Sequence, residues 1–143
     1  YLYPAPGPLV TLPEANGALS VTIFEEHAPF SNRPRAADFI KTYRERAAKA
    51  NFPDTSVEVQ AAASFTAWQI LEAAVTATKG LDDKAMADWL KKNRVETIQG
   101  SLRFDGASNY GDDLMRVKQI QNGKWSVVYP PEFAPPGVKM TAK

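Results

Sequence analysis

The sequence predicts an α/β chain, with helices filling its middle and short strands at both ends. Three observations point there. Apolar residues recur at spacings of three and four through residues 33–50 and 56–79, the period of a helix face. Leu19, Val21 and Ile23 alternate with Ser20 and Thr22, the period of a strand. Near the far end, Asn122-Gly123 sits between two strand-like runs, the strongest short-range sign of a β-hairpin.

The elements follow in order. Between Tyr1 and Pro13, Pro4, Pro6, Pro8, Pro13 and Gly7 break up the apolar residues, so the opening is expected as a short extended piece, a loop and one helical turn, with Tyr1 to Tyr3 as a strand stub. Asn16-Gly17 marks the turn into the strand Ala18 to Phe24. A first helix over 33–50 is capped by Ser31 or Asn32, has Pro34 in its first turn, and carries Ala36, Ile40, Tyr43, Ala47 and Ala50 as one stripe. A second, over 56–79, contains neither Gly nor Pro before Gly80 ends it, and places Ala61, Phe65, Trp68, Leu71 and Val75 on its apolar face. A third, over 82–92, starts at an Asp82 cap, turns Met86, Trp89 and Leu90 inward, and ends in Lys91 and Lys92, which suit the negative end of its dipole. Ser101 to Phe104 reads as a short extended run and Asp105-Gly106 as a turn. Leu114 to Gln121 and Lys124 to Tyr129 form the hairpin, after which Pro130, Pro131, Pro135 and Pro136 confine the remainder to a tail along the surface. Phe65, Trp68, Trp89 and Trp125 fall on periodic apolar faces and are expected in the core.

Composition narrows the chemistry. At 143 residues the chain is one domain's worth of sequence. Its 44% hydrophobic and 10% aromatic content excludes global disorder, and 17 Lys and Arg against 16 Asp and Glu supply no overall field for a polyanion, so no nucleic-acid partner is expected. The longest uncharged stretches, Tyr1–Pro13 and Val59–Leu71, are 13 residues each, against roughly 20 for a membrane span. With no cysteine and a single histidine, His27, there is neither a thiolate site nor a set of metal ligands, and neither cofactor nor metal is expected. Asp105 to Arg116 starts like a calcium loop but has Ala107 third, Tyr110 sixth and Arg116 twelfth. No Gly-rich phosphate loop and no G-x-S-x-G occurs, so catalysis is not expected. The segment from Arg33 to Lys49 has six cations against Asp38 and Glu45. It reads as a solvated face, because aromatic residues do not interleave with the cations on its polar side. The pairs Asp82-Asp83 and Asp112-Asp113 read as structural, since adjacent residues point apart.

Three stretches carry a family resemblance. Glu14 to Phe24 (EANGALSVTIF) resembles an A-x-G-h-x-V-T segment, Ser64 to Ala74 (SFTAWQILEAA) a Y-D-A-h-x-h-L-x-x-A helix, and Glu96 to Gly123 (ETIQGSLRFDGASNYGDDLMRVKQIQNG) a T-h-x-G-x-h-x-F-D-x-x-G segment with closing strands. Together they resemble the C-terminal part of type I periplasmic substrate-binding proteins of ABC transporters, in the group that binds branched-chain amino acids and aromatic acids. Phe65-Thr66 departs from the usual Tyr-Asp, and Asp105-Gly106-Ala107-Ser108 from the usual turn. The resemblance implies a two-lobed fold of which only the C-terminal portion is present, with sheet edges completed by N-terminal residues upstream of Tyr1. Residues 1–22 would then end the second lobe, 23–113 belong to the first, 114–129 form the closing hairpin of the second, and 130–143 the tail, with hinge crossings near Ile23 and Leu114. Few strands and three amphipathic helices agree with this, since they cannot close a core by themselves.

The function so implied is capture of a small organic ligand by hinge closure, in an exported protein whose signal peptide precedes this chain, and delivery to an ABC permease in the membrane. The location would be periplasmic or extracellular. By the same resemblance Tyr3, Pro4, Ala5 and Pro6 face the cleft from the second lobe and Gln60 and Ala61 from the first, while Phe24, Glu26 and His27, just past a crossing, either line the cleft or pack the hinge. Amino-acid binders of the family place a carboxylate in the first of these loops, and Tyr1 to Gly7 has none. An unpartnered buried ammonium costs several kcal/mol, so an aromatic or aliphatic carboxylate is expected in place of a plain α-amino acid. A ligand-sensing domain of a regulator or receptor with the same fold, and a free-standing interaction module, remain the alternatives.

Overall fold

A computed structural model describes residues 8–109, 111 and 114–142. Its elements are β1 (Leu19–Thr22), α1 (Ala36–Lys49), α2 (Val59–Thr78), α3 (Asp83–Leu90), β2 (Val95–Thr97), β3 (Gly100–Leu102), β4 (Arg116–Gln121) and β5 (Lys124–Tyr129), with single 3-10 turns at Pro8–Thr11, Pro13–Ala15, Phe30–Asn32, Ala107–Asn109 and Pro131–Phe133. The chain is thus mixed helix and sheet. β1, β4 and β5 form one antiparallel sheet in that order, and β2 and β3 a separate antiparallel pair. The strand stub expected at Tyr1 to Tyr3 lies outside the described residues.

The β4–β5 hairpin closes through Asn122 (φ 52°) and Gly123 (φ 74°), two successive left-handed residues, which is what a two-residue hairpin turn needs and what Asn-Gly tolerates best. β1 lies on the other side of β4, with Thr22 opposite Arg116. Residues 23–115 therefore leave the sheet at one end of β1 and return beside that point at the start of β4. This excursion holds all three helices and the β2–β3 pair.

The helices start and stop for local reasons that depart in part from expectation. Ser31 and Asn32 do not cap α1. Arg33 precedes Pro34 and is extended (ψ 151°), as residues before proline are, which separates both side chains from the helix. Pro34 lies ahead of the helix, and the N-cap position is Arg35 in the left-handed region (φ 66°) with no side-chain cap. α2 ends on Lys79 (φ 56°), one residue before Gly80. At α3 the Asp82 carboxylate accepts a hydrogen bond from the Ala85 amide at 2.7 Å, the expected cap.

Packing reverses two sequence expectations. Trp68 is 69% exposed and Leu71 40%, so neither is in the core of this chain. α2 instead buries Ala62, Thr66, Gln69 and Ala74 against α3 and β2. The reason is polar: the Ile98 amide, fully buried in the β2–β3 turn, donates to Gln69 Oε1 at 3.0 Å, so α2 must turn that side inward. Likewise β1 buries Thr22 while Leu19 and Val21 are exposed. Phe65, Trp89 and Trp125 are half-buried.

The core gathers Phe24, Phe30, Ala36, Ala62, Ile98 and Val127, with Phe39, Ile40, Val57, Phe65 and Phe133 packed on its rim. Phe24 meets Phe30 and Phe39 edge to face, at 6.2 and 6.1 Å between ring centroids. The tail runs along the sheet, held by Gln119, whose amide accepts from Thr141 N (3.0 Å) and donates to Thr141 O (2.9 Å), and by Gln121 Nε2, which donates to Lys139 O (2.7 Å).

Candidate functional site

The chain's exit from β1 is shaped by Thr22. Its buried hydroxyl donates to the Phe24 carbonyl at 2.8 Å and accepts from the Phe24 amide at 3.4 Å, which bends the backbone where the strand ends. Phe24 then drops into the core, 1% exposed. Two residues on, the Glu26 carboxylate accepts from Arg44 Nε (3.1 Å), from Arg44 Nη2 and from the Val57 amide (2.9 Å). One acid thus ties the strand exit to α1 and to the loop that leads into α2. The same contact raises the Arg44 pKa, through the hydrogen bond and charge of Glu26. His27 turns its Nδ1 to the Ala28 carbonyl (2.7 Å), and its ring meets that of Phe30 edge to face, with centroids 5.6 Å apart.

These partners give Phe24, Glu26 and His27 packing and tethering roles in the described residues. Gln60 is exposed and Ala61 half-buried, in the first turn of α2. Tyr3, Pro4, Ala5 and Pro6 lie outside the described residues.

An open cavity of about 380 Å³ lies between α1 and α2, lined by Arg35, Asp38, Phe39, Thr42, Tyr43, Arg46 and Phe65. None of the residues expected at a ligand site lines it, although Ala61 precedes Phe65 by one helical turn on the same face. Phe39 and Phe65 stack as its floor, with centroids 4.5 Å apart and planes 25° from parallel. Phe39 also touches Phe24, so it is the wall between cavity and core. Arg35 lies 5.4 Å over the Phe65 ring and pairs with Glu72 at 2.7 Å. Both partners are more than half exposed, so the pair adds little, about 0–1 kcal/mol. Burial raises the Tyr43 pKa, with the charges of Glu58 and Asp54 acting the same way.

Sequence reasoning missed this cavity. The α1 cations read as free of interleaved aromatics, whereas Phe39 and Tyr43 lie between Arg35 and Arg46 in the lining of one opening. The signal was there in Arg35, Phe39, Thr42 and Arg46, spaced four, three and four on one helix face. Chemically the opening offers stacking surface and guanidinium charge, with neither histidine nor cysteine to act on a substrate. Among the described residues no group of three or more His, Cys, Asp or Glu converges as a metal site, and no helix is long and apolar enough to cross a membrane. No protein-family model matches the chain, and no curated protein matches it.

Proposed function

We propose that this chain is part of the extracytoplasmic solute-binding component of an ABC importer, with a type I periplasmic-binding fold. Its sheet belongs to one lobe and its helical excursion to the other. The observation that carries the proposal is the paired crossing: residues 23–115 depart after Thr22 and return at Arg116, directly across the β1–β4 pairing. Two adjacent strands entering a second body are the geometry a hinge needs, since both connections bend about one line. The family resemblance expects hinge crossings near Ile23 and Leu114, and the strand ends at Thr22 and Arg116 support that reading.

The uncovered apolar side chains give a second support. Trp68 and Leu71 on α2 and, at 76% exposed, Leu81 in the link to α3 lie uncovered, as they would in a layer meant to cover a sheet formed by residues upstream of Tyr1. The activity is binding and closure, without bond chemistry. A ligand that touches both lobes stabilises the closed state by its differential affinity, and closed protein is what a membrane permease selects. The ligand is an organic carboxylate with an apolar body, since Tyr1 to Gly7 carries no acid to pair with an ammonium. Export to the periplasm or cell exterior by an upstream signal peptide belongs to the same proposal.

The test is calorimetric titration of the protein extended upstream of Tyr1, with benzoate and with leucine. Saturable binding of benzoate that leucine does not displace is the expected result. Leucine binding in place of benzoate overturns the ligand class, and no saturable binding across a panel of small organic solutes overturns the function.

A further inference from the structure

Side chains of the sheet meet the helical excursion at several points among the described residues. Val127 of β5 joins the core cluster, and Lys118 of β4 reaches Glu25 at 3.3 Å. The third contact is Phe133, in the turn that follows β5. Its ring packs on Phe30, with centroids 5.2 Å apart. Arg116, the first residue of β4, lays its guanidinium 4.0 Å from the Phe133 centroid, and Arg33, just ahead of α1, brings a second guanidinium to 5.8 Å.

The excursion side of this contact is braced. Arg33 Nη1 donates to the Ile98 carbonyl at 3.3 Å, and the guanidinium lies over Gly100, where an added Cβ would come within 3.4 Å of it. Gly100 has φ 133°, a backbone conformation that favours glycine. Burial, and then the charge of Arg116, lower the Arg33 pKa, as expected for two cations brought to one aromatic ring. Phe133 and Arg116 thus belong to the sheet, Phe30 and Arg33 to the excursion, and the ring fills the seam between them.

We infer that Phe133 is a latch: its ring, gripped between Arg116 on the sheet and the Phe30–Arg33 wall of the excursion, fixes the angle between the two bodies, and its release frees the crossings to bend. The inference rests on the two-lobed proposal for its meaning, though not for its measurement. Phe133 is partly buried on the rim of the shared core and internal to neither body, so its loss is expected to change their relative orientation more than their internal structure.

The sequence has no cysteine, so paired substitutions give unique spin-label sites. Thr76→Cys on α2 with Lys124→Cys on β5 reads the distance across the seam, and Lys41→Cys with Lys84→Cys reads a distance within the excursion, all four positions being exposed. Each pair is measured by double electron–electron resonance in the 143-residue chain, with Phe133 and with Phe133→Leu, which keeps an apolar side chain on Phe30 but removes the ring both guanidiniums face. The parent chain is expected to give one narrow distance for each pair. In Phe133→Leu the cross-seam pair loses its narrow peak while the internal pair keeps its own. An unchanged cross-seam peak, a cross-seam distance already broad in the parent, or loss of both peaks together each overturns the latch. Solute titration is a separate readout, so the latch can fail without touching the solute-binding proposal, which titration tests independently.

Discussion

α1 and α2 lie side by side and obey different rules. α1 turns inward the stripe its periodicity marks: Ala36 and Ala47 are buried and Ile40 and Tyr43 half-buried, with Ala50 just past the helix end. α2 does so only in part: Ala61, Phe65 and Val75 are half-buried, but Thr66 and Gln69 are buried while Trp68 and Leu71 stay in solvent. The difference lies in composition. α1 is studded with charges on all but one face, so only one side of it can be buried cheaply. α2 runs from Val59 to Leu71 without a charge, so periodicity hardly ranks its faces and a single demand decides the matter, the buried Ile98 amide that needs Gln69. An apolar helix side is thus as much an offer to residues outside the chain as a description of its own core.

Four substitutions test that contrast, from the largest effect to the smallest. Phe24→Ala removes the ring that both Phe30 and Phe39 abut, and is expected to cost about 3–5 kcal/mol in denaturant unfolding. A cost near zero would mean that α1 does not depend on this core. Gln69→Ala strips the Ile98 amide of its acceptor, for an expected loss of about 1–3 kcal/mol. If the variant is as stable as the parent, the explanation for the rotation of α2 is wrong. Asp82→Ala takes away the α3 cap and should cost about 1 kcal/mol, read in the same unfolding curves. Trp68→Ala is expected to stay within about 0.5 kcal/mol in this chain, because its side chain faces water. Under the two-lobed proposal the same change in a longer form of the protein is expected to cost several times more, because a sheet would cover that face.

Acid sensitivity adds a smaller check on the loop between the two helices. The Ser56 amide and hydroxyl both donate to Asp54 Oδ1, at 2.8 and 2.7 Å, and hold the Asp54 pKa below its ordinary value. A lowered acid contributes its stability in full above the unfolded value and loses it as pH falls through the folded one. Ser56→Ala, which removes the hydroxyl and keeps the amide, should therefore move the Asp54 titration part of the way upward in an NMR pH series, whereas an unmoved titration would contradict the hydroxyl hydrogen bond as one of its causes.

What could be read from residue order was local. Asn122-Gly123 implied the hairpin because the dipeptide itself meets the turn's dihedral needs, and Asp82 implied its cap because carboxylate and amide are three residues apart. β2 was not anticipated, since Val95–Thr97 is three residues long and offers no period to count. The α1 cap was misplaced because Pro34 acts on Arg33, a backbone effect that outranks the capping preference of Ser31 and Asn32. Of the candidate site, Glu26 and His27 were recognisable as polar residues after a strand, but their partners Arg44, Val57 and Ala28 are fixed by packing. The cavity depends on Phe65 arriving from α2 beside Arg35 and Arg46 of α1, a juxtaposition no single segment encodes.

The two-lobed proposal comes down to whether the sheet and the helices move against each other when solute binds. Spin labels at Thr76→Cys and Lys124→Cys, in the protein extended upstream of Tyr1, measure that distance with and without saturating solute. A shorter, narrower distance on binding is the predicted result, and a distance that solute leaves unchanged would contradict it.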